Sequence, residues 1–109
     1  MAESTGVSFV DARTVAGWSE AGGLTLFDVR EPHEFAAERI PGARLMPLSV
    51  FDPGKVRPEP GTRLVLQCAA GIRCGRAAEI LRAAGYGGEI FRLAGGLKAW
   101  RAEGLPTER

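Results

Sequence analysis

Both cysteines of the 109-residue chain, Cys68 and Cys74, fall within Leu64-Val-Leu-Gln-Cys-Ala-Ala-Gly-Ile-Arg-Cys-Gly-Arg-Ala-Ala-Glu-Ile-Leu81. An apolar run ends at Gln67, a helical pattern follows, and the small, nearly uncharged loop between them starts with Cys68. The backbone N–H groups of Ala69, Ala70, Gly71, Ile72 and Arg73 can turn inward as an anion-binding nest. The next helix would point its positive N-terminal end at the same place. Gly71 permits a backbone conformation closed to other residues, and Arg73 is the only charged side chain within the loop. Each feature favours a thiolate on Cys68 and a negatively charged adduct on its sulfur. The small side chains of Ala69 and Ala70 would leave the mouth above the sulfur open. The competing reading of Cys68 is a small buried hydrophobe. A disulfide or a metal clip are the other uses of a thiol pair.

Composition narrows these choices. Two cysteines and one histidine fall short of a four-ligand zinc site within one chain. Met1-Ala-Glu-Ser-Thr-Gly6 has no basic stretch followed by an apolar one, so no secretion signal is expected. That favours the cytoplasm as the expected location, where thiols stay reduced and a permanent disulfide is disfavoured. A formal net charge of +1 gives no reason to expect a nucleic-acid or membrane surface. With 45% hydrophobic and 25% charged residues, the chain suits one globular domain that buries a core without staples.

The elements that must position the loop follow from pattern. Val7–Val10 reads as a short strand, and Asp11 as the N-cap of a helix to about Glu20, with Val15 and Trp18 inward. Leu24–Val29 is apolar enough for a strand buried on both faces, as in a parallel sheet. A short helix from Pro32 to Ala37 starts with proline in its first turn. Ile40–Ala43 is a turn, and Arg44–Leu48 a strand closed by Pro47. Asp52–Gly61, with Pro53, Gly54, Pro58 and Pro60, is expected to be a surface loop. Leu64–Gln67 is the next strand. A helix follows with Ala77, Ile80, Leu81 and Ala84 on one face. Glu89–Leu93 is the last strand. Gly95-Gly96 opens a final helix with Leu97 and Trp100 inward. Alternating strands and helices predict an α/β fold: a three-layer sandwich with a central, mainly parallel sheet flanked by helices. Reactive groups in such sheets lie beyond the C-terminal strand ends, where Asp28 and Cys68 both fall.

Cys68-Ala-Ala-Gly-Ile-Arg73 resembles the active-site loop of the rhodanese sulfurtransferases, with four residues between Cys and Arg. Phe27-Asp-Val-Arg-Glu-Pro-His-Glu-Phe35 with Ile40-Pro-Gly-Ala43 is similar to the family's upstream motif. Leu93-Ala-Gly-Gly-Leu-Lys-Ala-Trp100 with Gly104-Leu-Pro106 is similar to its C-terminal motif. The resemblance runs from about Val7 to Pro106 and implies a single domain of the rhodanese-like fold over residues 1–109. It further implies that Cys68 takes a sulfane sulfur from thiosulfate or a persulfide, holds it as a persulfide under the loop N–H groups, and passes it to a thiophilic acceptor. The acceptor would be cyanide, a thiol or a protein. No metal and no organic cofactor are expected. Because Ala69, Ala70 and Ile72 add no charge, we expect modest affinity for thiosulfate and better use of a larger donor such as glutathione persulfide.

Two positions depart from the family. Cys74 stands where Ser or Thr is usual, either as a near-isosteric packing residue or as a resolving thiol for Cys68. Glu38-Arg39 replaces a Gly-His pair, which removes any histidine role there. Asp28 and Arg30 are read as supporting residues: Asp28 would accept hydrogen bonds from backbone, and Arg30 would pair with Glu34 or Glu31. His33 is expected to be exposed and Trp18, Trp100 and Phe35 to be core, with Phe35 and Phe51 also read as candidates to line the pocket. Arg76 and Arg82 belong on a solvated helix face. Rival functions are a Cys-dependent phosphatase or arsenate reductase and a non-catalytic rhodanese-fold interaction module. The first is disfavoured because the loop is one residue shorter than in the related phosphatases; the second, because Cys68 and Arg73 are both present.

Overall fold

The computed structural model describes residues 6–109; the reading of residues 1–5 lies outside them. The strands are β1 (Val7–Val10), β2 (Leu24–Asp28), β3 (Arg44–Leu45), β4 (Arg63–Gln67) and β5 (Ile90–Leu93). The helices are α1 (Ala12–Glu20), α2 (Pro32–Ala37), α3 (Arg73–Ala83) and α4 (Gly96–Ala102). Short 3-10 turns occupy Leu48–Val50 and Pro53–Lys55. The strands form one sheet in the order β1-β5-β4-β2-β3. Every pairing in it is parallel. Among the described residues no helix is long and apolar enough to cross a membrane.

Side-chain alternation along the strands sorts the core into two layers. Phe27, Val29, Leu64 and Leu66 pack on Cys74, Ala77, Ala78 and Leu81 of α3. Leu26, Val65 and Leu93 pack on Ala12 and Val15 of α1 and on Leu97 and Trp100 of α4. Each fully buried Leu, Ile or Val contributes about 1.5–3 kcal/mol of apolar burial. The three-layer α/β sandwich is therefore as expected, and α1 begins at the Asp11 cap, whose carboxylate accepts from Thr14 N at 2.8 Å.

Three local expectations change. The strand expected over Arg44–Leu48 stops at Leu45: Met46 N bonds to Asp28 O at the very end of β2 and Leu48 N to Val29 O just past it, and Pro47 between them cannot donate. The segment 52–61 is not all surface: Val56 is fully buried against Phe27, Val29 and Leu66. The buried stripe of α3 is Cys74, Ala77, Ala78 and Leu81, whereas Ile80 is half-buried and Ala84 exposed. That shift turns Cys74 squarely into the core.

Candidate active site

The C-terminal ends of β2 and β4 lie side by side, with Asp28 in register with Gln67. Cys68 is the first residue past β4 and is 1% exposed. Its loop is held from behind by α4, whose Leu97 N and Lys98 N donate to Cys68 O at 2.8 Å and Ala69 O at 3.1 Å. With the carbonyls drawn to α4, the N–H groups face the sulfur. Gly71 N donates to Cys68 Sγ at 3.2 Å, from a left-handed conformation (φ 92°) that a side chain resists. Ala69 is half-buried, and the exposed side chains of the loop are Ala70 and Ile72.

Cys68 is held at about pKa 5, well below the usual thiol range. The first cause is a hydrogen bond from the Cys74 thiol; burial opposes it, and the N–H groups of Cys74, Gly71 and Ala70 add to it. Cys74 is pushed up, first by that same bond and then by its own burial. One proton thus serves the pair and stays on Cys74. A second acceptor for it is Gly71 O, 3.4 Å from Cys74 Sγ. Near neutral pH Cys68 is therefore the thiolate. Iodoacetamide alkylation of Cys68 is expected to show a midpoint near pH 5, and Cys74→Ala should move the midpoint up because the donor is lost. A wild-type midpoint at the free-thiol value of about 8.5 would contradict this arrangement.

Arg73 does not turn to the sulfur. Its guanidinium forms a two-pronged pair with Glu34 of α2, at 2.9 and 3.0 Å. Arg73 holds the Glu34 carboxyl down to about 2, and Glu34 in turn raises Arg73. The one cation of the loop is neutralised by a residue 39 positions away.

The expected pairing of Arg30 is corrected. Arg30 meets neither the Glu31 nor the Glu34 carboxylate but Asp28, through Nη2–Oδ2 at 2.7 Å and Nε–Oδ1 at 3.0 Å. Arg30 N also donates to Asp28 Oδ1 at 2.9 Å. Both residues are buried, and a buried carboxylate takes the cation it can reach without leaving the core. Arg30 then ties the β2 end to the chain around α2 through Glu38 O at 2.7 Å and Glu34 O at 3.4 Å. By strand alternation Asp28 shares its face of the sheet with Leu26, which packs in the α4 layer, whereas Cys68 packs in the α3 layer, so this pair braces the site from the other face.

His33 is exposed. Glu38 binds Arg101 and Thr107, and Arg39 pairs with Glu108, so the replaced Gly-His positions fasten the C-terminal segment. Phe35 lies under the Arg39 guanidinium, and Phe51 packs against the core around Val56. Trp100 is core, while Trp18 is half-buried edge-on to Phe91. Arg76 is exposed beside Glu79, whereas Arg82 is only half exposed and donates to Tyr86 O.

One residue of the site had no motif to announce it. Arg92, on β5, donates to Gly71 O at 3.0 Å and approaches Cys74 Sγ at 3.5 Å. The glycine at 75, which leaves room for a long side chain, is the only local hint.

The fold is thus an α/β protein with a low-pKa cysteine at the end of a parallel strand, surrounded by backbone N–H donors and followed by arginine. Residues 11–103 match the model of the rhodanese-like domain, and the chain belongs to that family. It is 41% identical over 98% of its length to the uncharacterized protein slr1261 of Synechocystis, of which it spans 60%. It is 37% identical over 76% of its length to a protein of Allochromatium vinosum named sulfurtransferase, of which it covers 77%. The crystal structure of Alr3790 from Anabaena superposes with a TM-score of 0.77 at 31% identity, over 91% of this chain and 81% of that one.

Proposed function

We propose that the protein is a sulfurtransferase that moves a sulfane sulfur from a low-molecular-weight persulfide, or less effectively from thiosulfate, to a thiophilic acceptor. The observation that carries this reading is the buried Cys68 thiolate, with Gly71 N–H on its sulfur. Cys68 Sγ attacks the outer sulfur of the donor; a new S–S bond forms, and the thiolate of the donor, or sulfite from thiosulfate, leaves. The terminal sulfur now carries the negative charge that the loop N–H groups held on Cys68. An acceptor nucleophile, cyanide or a thiol, then attacks that terminal sulfur and Cys68 leaves as thiolate. This is two-step covalent catalysis with no group beyond the persulfide itself.

Intact-mass measurement after incubation with glutathione persulfide tests it. The expected result is a gain of about 32 Da on Cys68, removed by dithiothreitol and absent in Cys68→Ala. No adduct with either donor would favour a non-catalytic module. Aryl phosphate hydrolysis that depends on Cys68 would favour a phosphatase.

Donor choice follows from the Glu34–Arg73 pair. Thiosulfate is a dianion, and this pair offers it no net charge. Glu34→Gln keeps an acceptor for Glu31 N, which bonds Glu34 Oε1 at 2.9 Å, but frees the charge of Arg73. Thiosulfate kcat/KM is expected to rise about two- to fivefold, the size of a half-exposed ion pair. The value for glutathione persulfide should change less. A fall with thiosulfate would show that Glu34 serves the site by orienting Arg73.

A further inference from the structure

Sulfur transfer uses one cysteine, yet a second buried thiol lies against the same glycine. Cys68 Sγ accepts from Gly71 N, and Cys74 Sγ lies beside Gly71 O. Each thiol is the largest influence on the other's protonation, and Cys74 is fully buried. Behind Cys74 stands a cation. Arg92 places Nε 3.5 Å from Cys74 Sγ and Nη2 3.0 Å from Gly71 O. Its guanidinium stacks on Phe9 at 4.3 Å and crosses α3 at Gly75, where a Cβ would come within 2.8 Å of Nη2. A thiol that merely replaced a hydroxyl would need no such neighbour. A guanidinium beside a buried sulfur favours the thiolate.

The two influences on Cys74 are set in opposition. The Cys68 thiolate, by its charge and its claim on the shared proton, keeps Cys74 protonated, while Arg92 works the other way. Oxidation of Cys68 to a sulfenic acid removes the charge and the claim together and leaves Arg92 against burial alone. Cys74 becomes a nucleophile only after Cys68 has reacted. We propose that Cys74, primed by Arg92, is a resolving thiol that captures the sulfenic acid of Cys68 as an intramolecular disulfide. This rests on the same Cys68 thiolate as the sulfurtransferase reading.

The chemistry balances with a hydroperoxide as oxidant. The Cys68 thiolate attacks the peroxide oxygen, giving Cys68–SOH and hydroxide. Cys74 loses its proton to that hydroxide, and its thiolate attacks Cys68 Sγ. The S–S bond forms, the S–O bond breaks, and hydroxide leaves. Two equivalents of a low-molecular-weight thiol then reduce the disulfide and return both thiols. A persulfide on Cys68 differs, because its outer sulfur keeps a negative charge under the loop. Cys74 stays protonated, and the transfer intermediate is spared.

The test treats the reduced full chain with hydrogen peroxide and follows intact mass without reductant. Wild type is expected to lose about 2 Da, reversed by dithiothreitol, whereas Cys74→Ser gains about 32 Da that dithiothreitol does not remove, with about tenfold more sulfinic acid on Cys68. Arg92→Met should accumulate dimedone-trapped sulfenic acid in place of disulfide, and Arg92→Lys should restore part of the disulfide rate. Glutathione persulfide should leave a dithiothreitol-labile adduct on wild type without disulfide. Equal sulfinic acid in wild type and Cys74→Ser overturns the proposal. Iodoacetamide labelling of the untreated sample separates the two readings. If Cys68 is unreactive at neutral pH, both fall; if it is labelled yet no disulfide forms, only the resolving role falls.

Discussion

Gly96→Ala is expected to cost about a hundredfold or more in sulfur-transfer kcat/KM, the penalty for displacing a reacting group by about 1 Å. A Cβ at residue 96 would stand 2.2 Å from Cys68 O and 2.8 Å from the Ala69 carbonyl carbon. Those are backbone atoms, so no side-chain rotation relieves the contact. The first turn of α4 and the loop must separate, and the bonds from Leu97 N and Lys98 N to the loop carbonyls are lost with the approach. Once the carbonyls are free, the N–H groups no longer face the Cys68 sulfur as a set. The alkylation midpoint of Cys68 should therefore rise together with the loss of turnover. Gly96 also has φ 58°, which alone costs a side chain about 1–2 kcal/mol. Gly61→Ala separates the two effects: φ is 81° there, and nothing lies within 4 Å of the added carbon. It should lose stability by that amount and keep its activity. Wild-type turnover in Gly96→Ala would show that the nest does not depend on contact with α4.

The sequence made the sheet and the cysteine loop legible for the same reason: both are written locally. Apolar runs such as Leu64–Gln67 and the glycines that end the helices act over a few residues, and so does the loop from Cys68 to Arg73. What escaped was pairing across the fold. Glu34 meets Arg73 and Arg92 meets Cys74 only because β2, β4 and β5 bring their C-terminal ends together. Arg30 illustrates the bias. Nearness in sequence suggests Glu34 or Glu31, but the buried Asp28 carboxylate is the partner. The α3 stripe slipped for a related reason. Ala84 fits the period, yet it is the exposed C-cap of α3, and the buried positions begin one turn earlier than expected, at Cys74. That displacement turned a residue read from sequence as a packing substitute or a resolving thiol into the largest influence on Cys68.

Asp28→Ala is expected to destabilise the fold by about 3–5 kcal/mol, because it leaves a buried guanidinium without its counter-charge. Arg30 would keep only the carbonyls of Glu34 and Glu38, and neither carries a full charge. Against a total stability of about 5–15 kcal/mol, such a loss is severe. For a chain of this size it should lower the melting temperature by more than about 10 °C. The damage should also reach the site through α2. Arg30 anchors that helix through the carbonyls of Glu34 within it and of Glu38 at its C-cap, and Glu34 on it holds Arg73. Residual folded protein should therefore show altered donor preference in the same direction as Glu34→Gln, with the Cys68 alkylation midpoint little changed, since strand alternation turns Asp28 to the face of Leu26 and away from that of Cys68. The double variant Asp28→Leu with Arg30→Met removes both charges and should recover a large part of the lost stability. If the single variant melts within a degree or two of wild type, the pair does not brace the site, and the role assigned to Arg30 fails with it.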